Sequence, residues 1–181
     1  MYSLVDPKTY DTDLWVLPDP AGPPENHKPM PYLPTPFDKR QGQFSPDGHW
    51  IAYASDESGP LQYQIYVQSF PAGGGKFQVS TGAGGTQPRW RRDGKEIFYV
   101  AADGKLMAVE SQTSPRFEAK APKALFDPRI PRNRLPAWLD FDYDVTADGK
   151  RFLVNSALTN PESSAPAPIT VVVNWLAALK R

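Results

Sequence analysis

The stretch DFDYDV places Asp140, Asp142 and Asp144 at alternate positions. In a β-strand, alternation sends every second side chain to one face, so three carboxylates would share a surface and repel one another. A bound Ca²⁺ would relieve that repulsion. The calcium-loop pattern fails, however, because Val145 stands where the loop needs Gly and Arg151 where it needs a bidentate Glu. The expectation is no metal, with Asp140, Asp142 and Asp144 the candidate ligands were one to bind. Neutralisation by Arg129, Arg132 or Arg134 is the alternative.

Other chemistry is sought and not found. The two imidazoles, His27 in a Pro-rich connection and His49 just after a turn, are expected at the surface and not as a joint metal or catalytic pair. There is no G-x-S-x-G elbow, so the nucleophile turn of an α/β-hydrolase is absent. GGGKFQVS is no phosphate loop, since Phe77 follows Lys76 where Ser or Thr is required. Kinase catalytic motifs are missing, and the lack of Cys removes thiol chemistry and cysteine metal sites. No catalytic residue and no cofactor is therefore expected.

RWRRDGK supplies Arg89, Arg91, Arg92 and Lys95, but 20 Lys+Arg balance 20 Asp+Glu and no stacking platform accompanies the charges. Nucleic acid is not an expected partner. The N-terminus, MYSLVDPKTYD, lacks both a basic segment and an apolar core, so no signal peptide and no direct membrane contact are expected. The chain as written stays in the cytoplasm, and would be extracytoplasmic as part of a longer membrane protein.

The elements that must carry these residues are set by an internal repeat: FSPDGHWIAY, WRRDGKEIFY and VTADGKRFLV. Asp47-Gly48, Asp93-Gly94 and Asp148-Gly149 recur about 50 residues apart, the spacing of propeller blades. Each pair reads as a two-residue hairpin turn, in which Gly accepts positive φ freely and Asp tolerates it. Phe44, Trp90 and Val145 precede the turn Asp by three, and apolar residues follow it by four and five, as stacked equivalent sheets require. Trp90 and Phe44 are expected to fill the seams between blades. With 21 Pro and 13 Gly in 181 residues, long helices are excluded and the chain is all-β.

The expected architecture is one partial β-propeller over 1–181, with about thirteen strands. Its parts are the end of a truncated blade at 13–40, complete four-stranded blades at 41–86 and 87–140 (the latter with a long connection), and an incomplete blade at 141–181. TNPESSAPAP reads as a long loop in the last. Propellers close with about four to eight blades, so self-association is a candidate way of closing the ring, two copies sharing composite blades.

Register gives a candidate binding rim. Six residues before the turn Asp stand Gln41, Gln87 and Asp142, and four before it Gln43, Arg89 and Asp144. Inner strands converge on a propeller axis, so these polar sets belong near the channel, with Arg89 opposite Asp144.

FSPDGHWIAYASDESG followed by IYVQSFP, then GTQPRWRRDGKEIFYVAADGKLMAV and the closing ITVVVNWLAALK, resemble the TolB-type, WD-like propeller repeats from about Asp13 onward. They are most similar to the C-terminal propeller that follows a membrane span in certain bacterial serine/threonine protein kinases. The resemblance implies a non-enzymatic scaffold or sensor module with a protein or peptide partner. The alternatives are the sensor fragment of such a kinase and the propeller remnant of a peptidase or other hydrolase.

Overall fold

The computed structural model describes residues 1–19, 21–131, 140–156 and 170–173. TNPESSAPAP, Arg132 and Arg134 lie outside the described residues. Among the described residues there are fifteen β-strands, one short 3-10 turn at Pro24–Asn26 and no α-helix.

The strands form four antiparallel sheets. The first contains β1 (Tyr2–Val5), β2 (Thr12–Val16) and β3 (Met30–Tyr32). The second runs β4 (Lys39–Phe44), β5 (Trp50–Ser55), β6 (Gln64–Ser69) and β7 (Lys76–Gln78). The third has β8 (Gly85–Trp90), β9 (Glu96–Ala101) and β10 (Leu106–Gln112), edged by β11 (Glu118–Ala119) and β12 (Lys123–Phe126), which both pair with β10. The fourth holds β13 (Tyr143–Val145), β14 (Arg151–Val154) and β15 (Thr170–Val173). The first, second and fourth sheets pair their strands in chain order, and in the third β12 passes β11 to pair with β10 directly.

β1 is a departure from the sequence reading, which begins the first blade at Asp13. It pairs with β2 in the register Tyr2 with Trp15 and Leu4 with Asp13. The repeat turns also differ from two-residue hairpins. Ser45 N–H bonds to Trp50 carbonyl at 2.8 Å and Gly48 N–H to Ser45 carbonyl at 2.9 Å, so the connection runs from Pro46 to His49. Only the glycine takes positive φ, 75° at Gly48 and 72° at both Gly94 and Gly149.

The aspartate caps the turn instead. Asp47, Asp93 and Asp148 each accept the N–H two residues on, from His49, Lys95 and Lys150. The Thr146 hydroxyl and then the Lys150 N–H hold the Asp148 carboxyl below its usual range. The Arg91 guanidinium does the same for Asp93. Both groups favour the fold at neutral pH, and that contribution is lost as pH falls through their depressed values.

Three apolar seams join the four sheets, and strand alternation decides which residues enter each. Ile51 and Tyr53 face the first sheet, meeting Leu14, Val16 and Tyr32. Trp50, Ala52 and Ala54 face the third, meeting Ile97 and Tyr99. Phe98 and Val100 face the fourth, meeting Tyr143, Phe152 and Val154. The residues three before each turn Asp pack one per seam: Phe44 in the first, Trp90 in the second and Val145 in the third. In the middle seam Phe117 wedges between blades, its ring 5.4 Å from Trp50 and 6.3 Å from Trp90.

Candidate functional site

The first strands of the second and third sheets are both bulged. In each, the pairing register slips, between Arg40 and Gln43 in β4 and between Thr86 and Arg89 in β8. A bulge leaves a residue without a partner across the ladder and re-aims its side chain. Here that residue is Gln41 at φ 57° and Gln87 at φ 61°, left-handed conformations that glutamine enters only under constraint.

The constraint is a hydrogen-bonded relay across the seams. The Gln41 Oε1 accepts the backbone N–H of Gln87 at 2.8 Å, and the Gln87 Oε1 accepts the backbone N–H of Asp142 at 2.7 Å. The relay thus repeats from sheet to sheet. Gln87 Nε2 also donates to Asp142 Oδ2 at 3.1 Å, and Gln41 Nε2 to the Asp140 carbonyl at 2.7 Å. The Tyr143 hydroxyl donates to the Gln87 carbonyl at 2.9 Å. Burial raises that phenol well above its ordinary range, with the Arg89 charge opposing, so it acts as a donor at every working pH.

The second polar set lies beside this relay and is more open. Arg89 donates from Nη1 to Gln43 Oε1 at 3.3 Å and stands 3.8 Å from the Asp144 carboxylate. Its guanidinium lies over the Phe141 ring, 3.8 Å from the centroid. Trp90 Nε1 donates to the Gln43 carbonyl at 3.2 Å, fixing the strand that carries Gln43. Gln43, Arg89 and Asp144 therefore form a continuous polar arc across three sheets.

The acidic stretch does not form one face. Only Asp144 lies in β13, Asp142 is buried against Gln87, and Asp140 is exposed before the strand. Among the described residues, no group of three His, Cys, Asp or Glu side chains converges as metal ligands. His49 lies exposed after the first repeat turn, and His27 ends the 3-10 turn.

Sequence reasoning missed a buried charged cluster at the entry to β4. Asp38, Lys39 and Arg40 are all buried. Asp38 accepts from the Tyr63 hydroxyl at 2.7 Å and pairs with Arg40, whose guanidinium covers the Tyr63 ring. Lys39 Nζ pairs with Asp13 at 2.8 Å and donates to the Thr35 carbonyl at 3.0 Å. The signal was the run DKR beside a Pro-rich connection, where three successive charges can be buried only if each finds a partner.

An open cavity of about 690 Å³ lies at the turn end of the third sheet, lined by Arg91, Asp93, Lys95, Glu96, Glu110 and Lys120. Its charges are largely neutralised internally. Arg91 pairs with Asp93 and Glu96, and Glu110 with Lys120 and Lys123, which hold the Glu110 carboxyl down at about 2. The arc at Arg89 has the weaker internal neutralisation.

No family model matches the chain, and no curated protein matches it in sequence. Among solved structures, TolB from Acinetobacter baumannii superposes with a TM-score of 0.53 at 16% identity, covering 96% of this chain and 49% of that one. The chain folds as a partial β-propeller of the TolB type. It spans about half the length of the TolB chain that it matches. An oligogalacturonate lyase from Vibrio parahaemolyticus also aligns, with a TM-score of 0.42 and 16% identity over 84% of this chain and 34% of that one. The propeller arc accounts for the relay: successive first strands lie side by side, so a residue at one offset meets its equivalents. Among the described residues no helix is long and apolar enough to cross a membrane.

Proposed function

We propose that the chain is a binding module that takes a protein or peptide against the first strands of its sheets and works by complementarity, without catalysis. The observation that carries this reading is the arc of Gln43, Arg89 and Asp144, polar side chains converging from three sheets on a backbone fixed by the Gln41 and Gln87 relay. A sensor role beside a kinase rests on the sequence resemblance and uses the same arc. Selection of displayed peptides on the immobilised chain tests it. Selected peptides should lose binding in Gln43→Ala and Arg89→Ala and keep it in Glu118→Ala, at the opposite edge of the sheet. Peptides indifferent to both arc variants would contradict the reading.

Self-association is part of the same proposal, supported by two open faces. Leu153 is 48% exposed, whereas its repeat equivalents Ala52 and Phe98 are fully covered by the following sheet. Tyr2 and Leu4 leave the outward face of the first sheet similarly bare. A second copy could seat its first sheet on the Leu153 face as each internal seam does. Among the described residues the end sheets hold three strands each, which supports stacking of whole faces in place of shared composite blades. Light scattering should show mass rising with concentration and falling in Leu153→Asp. A concentration-independent monomer would contradict it.

A further inference from the structure

We propose that Arg89 is the centre of a carboxylate-recognition site, so that the module reads acidic side chains or a C-terminal carboxylate on a peptide. This deepens the binding reading above and rests on it. A guanidinium offers five N–H donors in a planar fork, and a donor withdrawn from water without an acceptor is costly. Arg91 illustrates the satisfied case, forked onto Asp93 through Nε and Nη2 and onto Glu96 through Nη1. Arg89 does not reach that state. Its Nε is buried and has no acceptor within hydrogen-bond distance, and its contact to Gln43 is long.

The carboxylate opposite, Asp144, stands at 3.8 Å, beyond hydrogen-bond distance, and its side chain is 63% exposed. Its Oδ1 accepts the Val145 N–H at 2.9 Å and makes no hydrogen bond to Arg89, so an incoming carboxylate can take the fork in its place. The Phe141 ring holds the guanidinium plane in place, which reduces the entropy lost when a ligand engages the fork bidentately. The Gln43 amide accepts from Arg89 through Oε1 and donates one Nε2 hydrogen to the Gly42 carbonyl at 3.0 Å, which leaves its second hydrogen for a ligand. The site thus has a fixed cation, an adjoining polar group and a displaceable occupant.

The test is a fluorescence-anisotropy titration of the full chain with labelled hexaglutamate, beside hexaglutamine as the neutral control, both C-terminally amidated so that side-chain carboxylates are read alone. A free-acid hexaglutamine arm reads the C-terminal carboxylate. Hexaglutamate is expected to bind, and Arg89→Gln to weaken it by at least about tenfold, the loss of one charge-assisted fork. Asp144→Asn removes the competing anion and should tighten binding by up to about fivefold, the range of an exposed ion pair. Arg116→Gln, at a remote exposed ion pair with Glu118, should leave it unchanged. Failure of the parent chain to bind either hexaglutamate or free-acid hexaglutamine would overturn the proposal, as would parental affinity in Arg89→Gln. Should Arg89→Gln fail to fold, unchanged or weaker binding in Asp144→Asn overturns it equally. Amidated hexaglutamine bound as tightly as its free acid, with hexaglutamate unbound, would sink the carboxylate site while leaving the binding module standing.

Discussion

Replacing Phe152 by alanine is expected to destabilise the chain by about 3 to 5 kcal/mol, the range for truncating a fully buried aromatic ring. Phe152 is completely covered, and its ring meets Phe98 edge-on at 5.1 Å, Phe126 at 5.6 Å and Tyr143 at 6.4 Å. Those partners come from both sides of the third seam, so the cavity would open between sheets and could close only by moving a whole sheet. Urea unfolding should show a lower midpoint with an unchanged slope. Lys150→Ala, two residues away on the exposed turn, should shift the midpoint little. Equal effects from the two variants would contradict the assignment of faces along β14.

Gln87→Ala should cost about 1 to 3 kcal/mol, because it removes two hydrogen bonds to the buried Asp142. The N–H of Asp142 loses its acceptor and the carboxylate loses the Gln87 amide. A second variant separates this from backbone strain. Gln87→Gly removes the same bonds but relaxes the left-handed backbone, so it should be milder than alanine by about 1 kcal/mol. Hydrogen exchange at the Asp142 N–H should quicken in both. Alanine milder than glycine would show that the bulge is not strained.

The repeat was legible because its residues are fixed by turn chemistry and burial, both local. Gly48, Gly94 and Gly149 need positive φ whatever the rest of the fold does. Counting back from the turn also brought Gln43, Arg89 and Asp144 together, since short offsets survive the bulge. The longer offset did not carry the same meaning: Gln41 and Gln87 lie within the bulge, so strand alternation could not foresee a relay running from side chain to backbone across the seams. β1 escaped notice because YSLV is short and bears no turn signal, and its strand character comes from pairing with β2. The burial of Asp38, Lys39 and Arg40 has no local mark, because their partners, Tyr63, Asp13 and Thr35, are supplied by tertiary packing. Asp140, Asp142 and Asp144 were read as one strand face because the start of β13 at Tyr143 is set by pairing with β14 and has no mark in the sequence.

The most direct measurement is amide NMR of the chain titrated with a selected peptide, mapping which backbone signals move. If the first strands carry the binding surface, the shifts concentrate at Gly42, Gln43, Arg89, Phe141 and Asp144, and they vanish when Gln43 and Arg89 are both alanine. Shifts gathered instead on the outer strands, at Lys76–Gln78 and Glu118–Ala119, would contradict the account.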